Sequence, residues 1–162
     1  MMTQGVKWFY MVTLAVWIGS AVFFRVVVAP AVCKTLKPED ATALLRRLFS
    51  KYYLIGLVCA AVGIVCVGLL LADRAFSKWP AILSLLLLAG TGATVHWLWQ
   101  TVMPHMNELR DRRAAVATSG QETDAALEQE WKTLHQLSMR MNAVVLVCAL
   151  ALAFLLVYAR VV

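Results

Sequence analysis

Four long apolar segments follow one another along the chain, and the charged residues are gathered mainly between them. Each segment approaches the roughly 20 residues that a helix needs to cross about 30 Å of hydrocarbon. None of them alternates polar and apolar residues over about 10 positions, as a strand of a membrane barrel does. The pattern therefore predicts four membrane-spanning helices, at about 8–31, 52–72, 79–102 and 139–160.

The composition supports the same class of protein. Hydrophobic residues make up 62% of the chain, charged residues make up 15%, and the mean hydropathy is +0.75. These values lie far from those of soluble domains. We therefore predict an all-α membrane protein in which residues 1–162 form one domain, a four-transmembrane-helix bundle. The length of the first apolar segment and the presence of Arg25 within it favour a retained span over a cleaved secretory signal.

The connections between the spans are predicted to be partly helical. Residues 37–40, Lys-Pro-Glu-Asp, are typical of a helix start, with a proline in the first turn and acids near the positive end of the helix dipole. The following residues place an apolar face opposite Arg46 and Arg47, which predicts a short amphipathic interfacial helix on the inner membrane surface. A plain connecting turn of helix is the alternative. Spans three and four are predicted to extend into the cytoplasm as helices, on either side of a polar break at 119–121.

The cations are distributed unequally between the two sides of the predicted bundle. Ten lie in the connections on one side: Lys34, Lys37, Arg46, Arg47, Lys51, Arg110, Arg112, Arg113, Lys132 and Arg140. Four lie on the other side: Lys7, Arg74, Lys78 and Arg160. Because cytoplasmic loops carry the excess of Lys and Arg, we predict that both termini lie outside, in a bacterial inner membrane. The net charge of +6 predicts attraction to anionic inner-leaflet lipids, and we expect no nucleic-acid binding.

Polar side chains recur at one level of the predicted spans, toward their inner ends. They are Arg25, Tyr52, His96, Gln100, Ser138 and Asn142. His96 shares a helix face with small residues, so we expect it to point into the bundle. No acid lies inside a span, so a desolvated Arg25 is expected to find its counterpart in a ligand, a lipid phosphate or a carbonyl. The interpretation is a polar cavity for a small anionic or polar ligand. The alternative is a set of hydrogen bonds that only holds the helices together.

Thioether and imidazole groups near the inner ends of spans three and four raise the question of a metal. Met103, His105, Met106 and His135 have the side chains that suit Cu(I), although methionine also fills irregular apolar gaps. Haem b on His96 is a second cofactor hypothesis. At 1.5 Å per residue, His96 and His135 would be roughly 20 Å apart along the membrane normal, so they would not share one haem. We expect no resident cofactor, with copper and haem b as the alternatives.

Several short segments carry a resemblance to a known family. They are Trp17-Ile18-Gly19, the stretch 23–30 (Phe-Phe-Arg-Val-Val-Val-Ala-Pro), Leu48-Phe49 with Tyr52-Tyr53, and His135-x-x-Ser138-x-x-x-Asn142. Their order and spacing resemble the transmembrane protein 205-like family, of the four-span domain of unknown function 4149 type. The resemblance implies a small four-span protein largely without assigned biochemistry, whose animal member is associated with resistance to a platinum drug. It also implies a distant similarity to copper-resistance and haem-pathway membrane proteins.

The sequence contains no phosphate loop, nucleophile elbow, zinc motif or paired-carboxylate site, so nothing in it supports an enzymatic activity. We predict a ligand-binding or transport-related membrane protein with a polar inner-leaflet cluster. One alternative is an accessory structural subunit of a larger membrane complex, for example a respiratory one. A further alternative is a copper- or haem-handling protein. A bundle of this size leaves no room for a wide pore, so transport would require a homo-oligomer.

Overall fold

The computed structural model describes residues 2–119 and 124–158, and within these ranges it is helical apart from short connections. The elements are α1 (Met2–Phe23), a first π-helical turn (Phe24–Val28), α2 (Ala29–Thr35), α3 (Pro38–Ala72), α4 (Lys78–Trp97), a second π-helical turn (Leu98–Val102), α5 (Met103–Ser119) and α6 (Ala125–Tyr158). Each π turn joins its flanking helices without a break. The result is four helices long and apolar enough to cross a membrane, Thr3–Thr35, Pro38–Ala72, Lys78–Ser119 and Ala125–Tyr158, which confirms the predicted fold class.

The four long helices close into a ring. Both α1 and α4 pack against α3 and against α6. Links at 36–37 and 73–77 are short, so consecutive helices run in opposite directions. One end of the ring gathers α2, the start of α3, α5 and the start of α6. We call it the basic end, because it carries Arg46, Arg110 and Arg113.

Small residues on α3 let the neighbouring helices approach closely. Gly56, Cys59, Ala60 and Gly63 recur at helical spacing, and all four are buried. A Cβ atom built on Gly63 would lie 2.8 Å from Cδ2 of Leu88 on α4. This contact leaves no room for a side chain at position 63.

Each π-helical turn ends two residues before a proline. The backbone N–H of Ala29 bonds to the carbonyl of Phe24, and that of Met103 bonds to the carbonyl of Leu98. The next residues are Pro30 and Pro104, each of which lacks an N–H and crowds the carbonyl four residues earlier. A widened turn relieves that crowding. Proline in a helix interior usually ends or kinks the helix, but here the first helix continues past Pro30 to Thr35.

The predicted interfacial helix does not exist as a separate element. Residues 38–51 are the first part of α3, which runs for 35 residues without interruption. No glycine or proline between 50 and 53 breaks the helix. Part of the apolar face that was assigned to the membrane surface packs inside the protein, with Ala41 and Leu45 buried, whereas Leu44 stays exposed; Arg46 binds Asp111 of α5. The extension thus continues the direction of span two.

The predicted helical extensions of spans three and four are present as α5 and the first part of α6. An ion pair at 2.9 Å between Arg113 and Glu128 joins them. Residues 120 and 121 of the predicted break lie outside the described residues, as do residues 159 and 160 at the end of predicted span four.

Candidate functional site

A cavity of about 210 Å³ lies between the helices at the basic end. Its polar lining residues are Arg25, Tyr52, Arg110, His135, Ser138 and Asn142. Its apolar lining residues are Ala21, Phe24, Ala29, Phe49, Met103, Met106 and Met139. We call it the Arg25 cavity. Arg25 follows the exposed Trp8 by 17 helical residues, about 26 Å, which puts the cavity near one boundary of a hydrocarbon layer about 30 Å thick.

The first π turn and α3 meet at this cavity through a cluster of aromatic rings. The ring of Phe24 lies 4.8 Å from that of Phe49 and 5.2 Å from that of Tyr52, centroid to centroid. Tyr52 in turn lies 5.2 Å from Tyr53. Offset and tilted ring pairs at these distances are favourable. The cluster therefore holds the π turn, and Arg25 with it, in place beside α3.

Asn142 of α6 is the centre of the hydrogen bonds at the cavity. Its Nδ2 donates to the Tyr53 hydroxyl at 3.2 Å and to the Ser138 carbonyl at 2.9 Å. Its Oδ1 accepts a long hydrogen bond, 3.5 Å, from the Tyr52 hydroxyl. Asn142 and Tyr53 are both buried, so these bonds satisfy groups that water does not reach. The Tyr52 bond is the longest of the three, and Tyr52 lines the cavity.

Two guanidinium groups line the cavity. Arg25 is exposed at its rim, and none of the ion pairs found among the described residues involves it. Arg110 is half-buried, and its guanidinium carbon lies 5.3 Å from the centroid of the Trp131 ring. Such a cation–π contact fixes the direction of the side chain. No aspartate or glutamate is among the described residues that line the cavity, so its walls are positive.

The structure brings only part of the predicted cluster together. Tyr52, Ser138 and Asn142 line the cavity with Arg25. His96 and Gln100 are exposed on another face of the bundle, so the prediction that His96 points inward is wrong. The buried face of α4 is instead formed by Ser84, Leu88, Thr91 and Val95. Arg25 itself lies on the outer surface of the bundle, in the widened π turn, and the expectation that it is desolvated stays a prediction.

The structure brings three of the four predicted metal-binding candidates together, and metal binding stays a prediction. Met103, Met106 and His135 line the Arg25 cavity, together with Met139, and this donor set suits Cu(I). His105 lies elsewhere, paired with Glu130 at 3.1 Å. The two guanidinium groups oppose the binding of a cation in the same cavity. For haem, the described residues present no pair of axial histidines, because His96 faces outward.

Arg110 is the main cavity residue that sequence reasoning did not select. A signal for it existed, since Met103, Met106 and Arg110 follow one another at helical spacing and so share a face. Arg110 lies outside the predicted spans, where it was counted only among the cations of the connections.

Taken together, the ring of apolar helices defines a four-helix integral membrane protein. The family model described as "Domain of unknown function (DUF4149)" matches residues 12–115, which is more than half of the chain, and the protein belongs to this family. The matched region contains Arg25, Tyr52 and Arg110 and ends before α6. No curated protein and no solved structure matched the chain. The family match does not test the transmembrane protein 205 name, which stays a prediction.

Proposed function

We propose that this protein is a non-enzymatic, ligand-binding membrane protein that holds a small amphiphilic anion in the Arg25 cavity. The observation that carries the proposal is the composition of the cavity walls. Two guanidinium groups and the hydroxyl of Tyr52 line it with aromatic rings and thioethers, and no carboxylate is among its described lining residues. A positive, apolar and concave site matches an anionic group joined to a short apolar body.

The size of the cavity limits the ligand. A cavity of about 210 Å³ holds several water molecules, and so accommodates a short amphiphile such as a linear carboxylate of six carbons. Its carboxylate would accept hydrogen bonds from Arg25 and Tyr52, and its chain would contact Phe24, Phe49 and Met106.

The experiment compares hexanoate with hexanamide, which has nearly the same shape without the charge. Thermal unfolding of the purified protein in a neutral detergent is measured with increasing concentrations of either probe, since a ligand of the folded state raises its stability. We expect stabilisation by hexanoate and little by hexanamide. Equal stabilisation by the two probes would contradict the proposal.

Two variants test whether hexanoate binds in the Arg25 cavity. Arg25→Gln removes one charged donor and should weaken hexanoate binding at least tenfold, because a hydrogen bond to a charged group contributes about 1.5–3 kcal/mol. Arg112→Gln is the matched control, since Arg112 lies on α5, pairs with Glu108 at 2.6 Å and does not line the cavity. The control should bind hexanoate as the unmodified protein does.

The cation distribution supports a cytoplasmic position for the basic end, and hence an inner-membrane protein with both termini outside. Native cysteines permit a direct test. Cys33 is exposed on α2, whereas Cys59 and Cys66 are buried. A membrane-impermeant maleimide should label Cys33 only after intact cells are permeabilised. An added cysteine, Ser77→Cys, in the exposed α3–α4 link should react without permeabilisation. The reverse pattern would invert the topology.

A role as accessory subunit of a larger membrane complex is the second candidate. It is favoured by the outward position of His96 and Gln100, next to the exposed Ala89 and Ala93. Polar side chains and small residues on an outer helix face favour contact with another membrane helix. Purification in mild detergent separates the candidates, because an accessory subunit should retain stoichiometric partners and lose them in a His96→Leu/Gln100→Leu variant.

A further inference from the structure

A second concave surface lies beside the Arg25 cavity at the basic end. It is a groove of about 510 Å³ between the start of α3 and the middle of α5. Its polar lining residues are Glu39, Thr42, Arg46, Arg47, Arg110 and Asp111. We call it the Arg46 groove. Arg110 lines both the groove and the cavity, and the other lining residues of the two sites differ.

Two guanidinium nitrogens at the groove lack acceptors. Arg46 donates through Nη2 to Oδ1 of Asp111 at 2.7 Å, but its Nε is buried and has no hydrogen-bond partner within the described part of the chain. Nη1 of Arg110 is likewise buried and has no hydrogen-bond partner among the described residues. A buried donor left without an acceptor is unfavourable by about 1–3 kcal/mol, and more for a charged group. The protein therefore does not satisfy the full hydrogen-bonding capacity of these two neighbouring guanidinium groups.

The charges around the groove also favour binding of an anion. Three guanidinium groups face two carboxylates, and one of these, Asp111, is already bound to Arg46. Arg110 lies on the polar α5, beyond the apolar run of span three. Burial lowers the pKa of its guanidinium, and the nearby positive charge of Arg46 lowers that pKa further. The groove also contains the first turn of α3, whose positive dipole end favours an anion, although Glu39 and Asp40 already place carboxylates there.

The position of the groove suits a phosphate at the membrane surface. Arg46 precedes Tyr52, where the apolar run of α3 begins, by about 9 Å along the helix. The headgroup region occupies about 5–8 Å on each side of the hydrocarbon. The Arg46 guanidinium on its long side chain therefore reaches the level of lipid phosphates and remains accessible from water.

We propose that the Arg46 groove is a phosphate-binding site, formed by Arg46, Arg47 and Arg110 and separate from the Arg25 cavity. Guanidinium groups bind phosphate oxygens with paired, charge-assisted hydrogen bonds. The phosphate belongs either to a lipid headgroup or to a dissolved phosphate, and both have the chemistry that the groove recognises. The proposal does not depend on a ligand in the cavity.

The test uses phosphatidic acid and diacylglycerol with the same acyl chains, which differ only in the phosphate. Native mass spectrometry of the full-length protein in neutral detergent counts the bound lipids, and calorimetry measures binding of inorganic phosphate. The variant Arg46→Gln/Arg47→Gln is compared with Arg112→Gln/Arg140→Gln, which removes the same charge at exposed positions outside the groove. We expect phosphatidic acid to bind in preference to diacylglycerol, and the groove variant to bind it at least tenfold more weakly than the control.

Binding of inorganic phosphate with the same dependence on Arg46 and Arg47 would assign the site to a dissolved phosphate. Binding of phosphatidic acid alone would assign it to a lipid. Absence of binding of both phosphatidic acid and inorganic phosphate, or an equal loss of binding in the two double variants, would overturn the proposal.

The variant Asp111→Asn should increase phosphate binding, which a folding defect would not do. It frees Arg46 from its carboxylate and should tighten phosphate binding by up to about fivefold, the equivalent of an exposed ion pair. Arg25→Gln should leave phosphate binding unchanged, so failure of either proposal is distinguishable from failure of the other.

Discussion

Of the described glycines, Gly63 is the one where an added Cβ would meet the shortest contact, and Gly63→Ala should destabilise the fold. The added Cβ would lie 2.8 Å from Cδ2 and 3.3 Å from Cδ1 of Leu88, and 3.3 Å from Cε2 of Tyr10. Optimal separations between carbon atoms are about 3.5–4.0 Å, so the shortest contact is too short by about 0.7–1.2 Å. Leu88 and Tyr10 are fully buried, which leaves their side chains little space to move away.

The loss of stability caused by the clash is obtained by comparing Gly63→Ala with a matched control on the same helix. Gly68→Ala adds the same methyl group where nothing lies within 4 Å. Both substitutions gain the helix propensity of alanine over glycine, about 1 kcal/mol, so this gain cancels in the comparison. The clash alone should make Gly63→Ala less stable than Gly68→Ala by about 1–3 kcal/mol, the usual range for overpacking.

Reversible unfolding in mixed micelles, followed by circular dichroism as the fraction of sodium dodecyl sulfate rises, gives the free energies of unfolding. Adding Leu88→Ala provides a second readout. By itself this substitution leaves a cavity and should destabilise by about 2–5 kcal/mol, but in the Gly63→Ala background the loss should be smaller because the methyl group enters the vacated space. Equal stability of Gly63→Ala and Gly68→Ala, or additive effects at 63 and 88, would refute the packing of α3 against α4.

Three further substitutions test other contacts by the same unfolding measurement. Asn142→Leu leaves the buried Tyr53 hydroxyl without its donor and should destabilise the protein by about 1–3 kcal/mol. Adding Tyr53→Phe to Asn142→Leu should recover part of this loss, and additive effects of the two substitutions would contradict the hydrogen bond. Glu130→Gln removes the carboxylate from the exposed His105–Glu130 contact and should change stability by less than about 1 kcal/mol, whereas a larger loss would contradict the exposed position of this contact. Asp124 caps the first turn of α6, where its carboxylate accepts a hydrogen bond from the backbone N–H of Ala126. Asp124→Ala should destabilise the protein by about 0.5–2 kcal/mol, and no change in stability would contradict this capping role.

The number of spans and some of the buried faces could be predicted from the sequence, because span length and small-residue stripes are local properties. Gly56 and Gly63 are examples. The orientation of α4 could not be predicted, since a helix apolar on every side is equally compatible with lipid and with the core. Small residues beside His96 indicated the inner face, whereas Leu88 and Val95 occupy it. In a membrane, the hydrophobic pattern does not separate the two environments.

The site was predictable to the extent that it consisted of polar residues inside apolar runs, as with Tyr52 and Asn142. Two of its features depend on tertiary packing. The proline at position 30 was visible, but its accommodation by a π turn, which leaves Arg25 at the rim, depends on the aromatic contacts of Phe24 with α3. Arg110 reaches the cavity from α5 because Trp131 of a different helix directs its side chain. Neither contact has a signature in a single sequence.

The central claim is that an amphiphilic anion binds inside the Arg25 cavity. The measurement that tests it most directly is photo-crosslinking of the full-length protein in neutral detergent with a hexanoate that carries a diazirine on its chain, followed by peptide mass spectrometry. We expect adducts on the cavity residues Phe49, Met103 or Met106, lost on competition with hexanoate and in Arg25→Gln. Adducts confined to exposed outer positions such as Trp79 and Phe154, insensitive to competition and to Arg25→Gln, would contradict the claim.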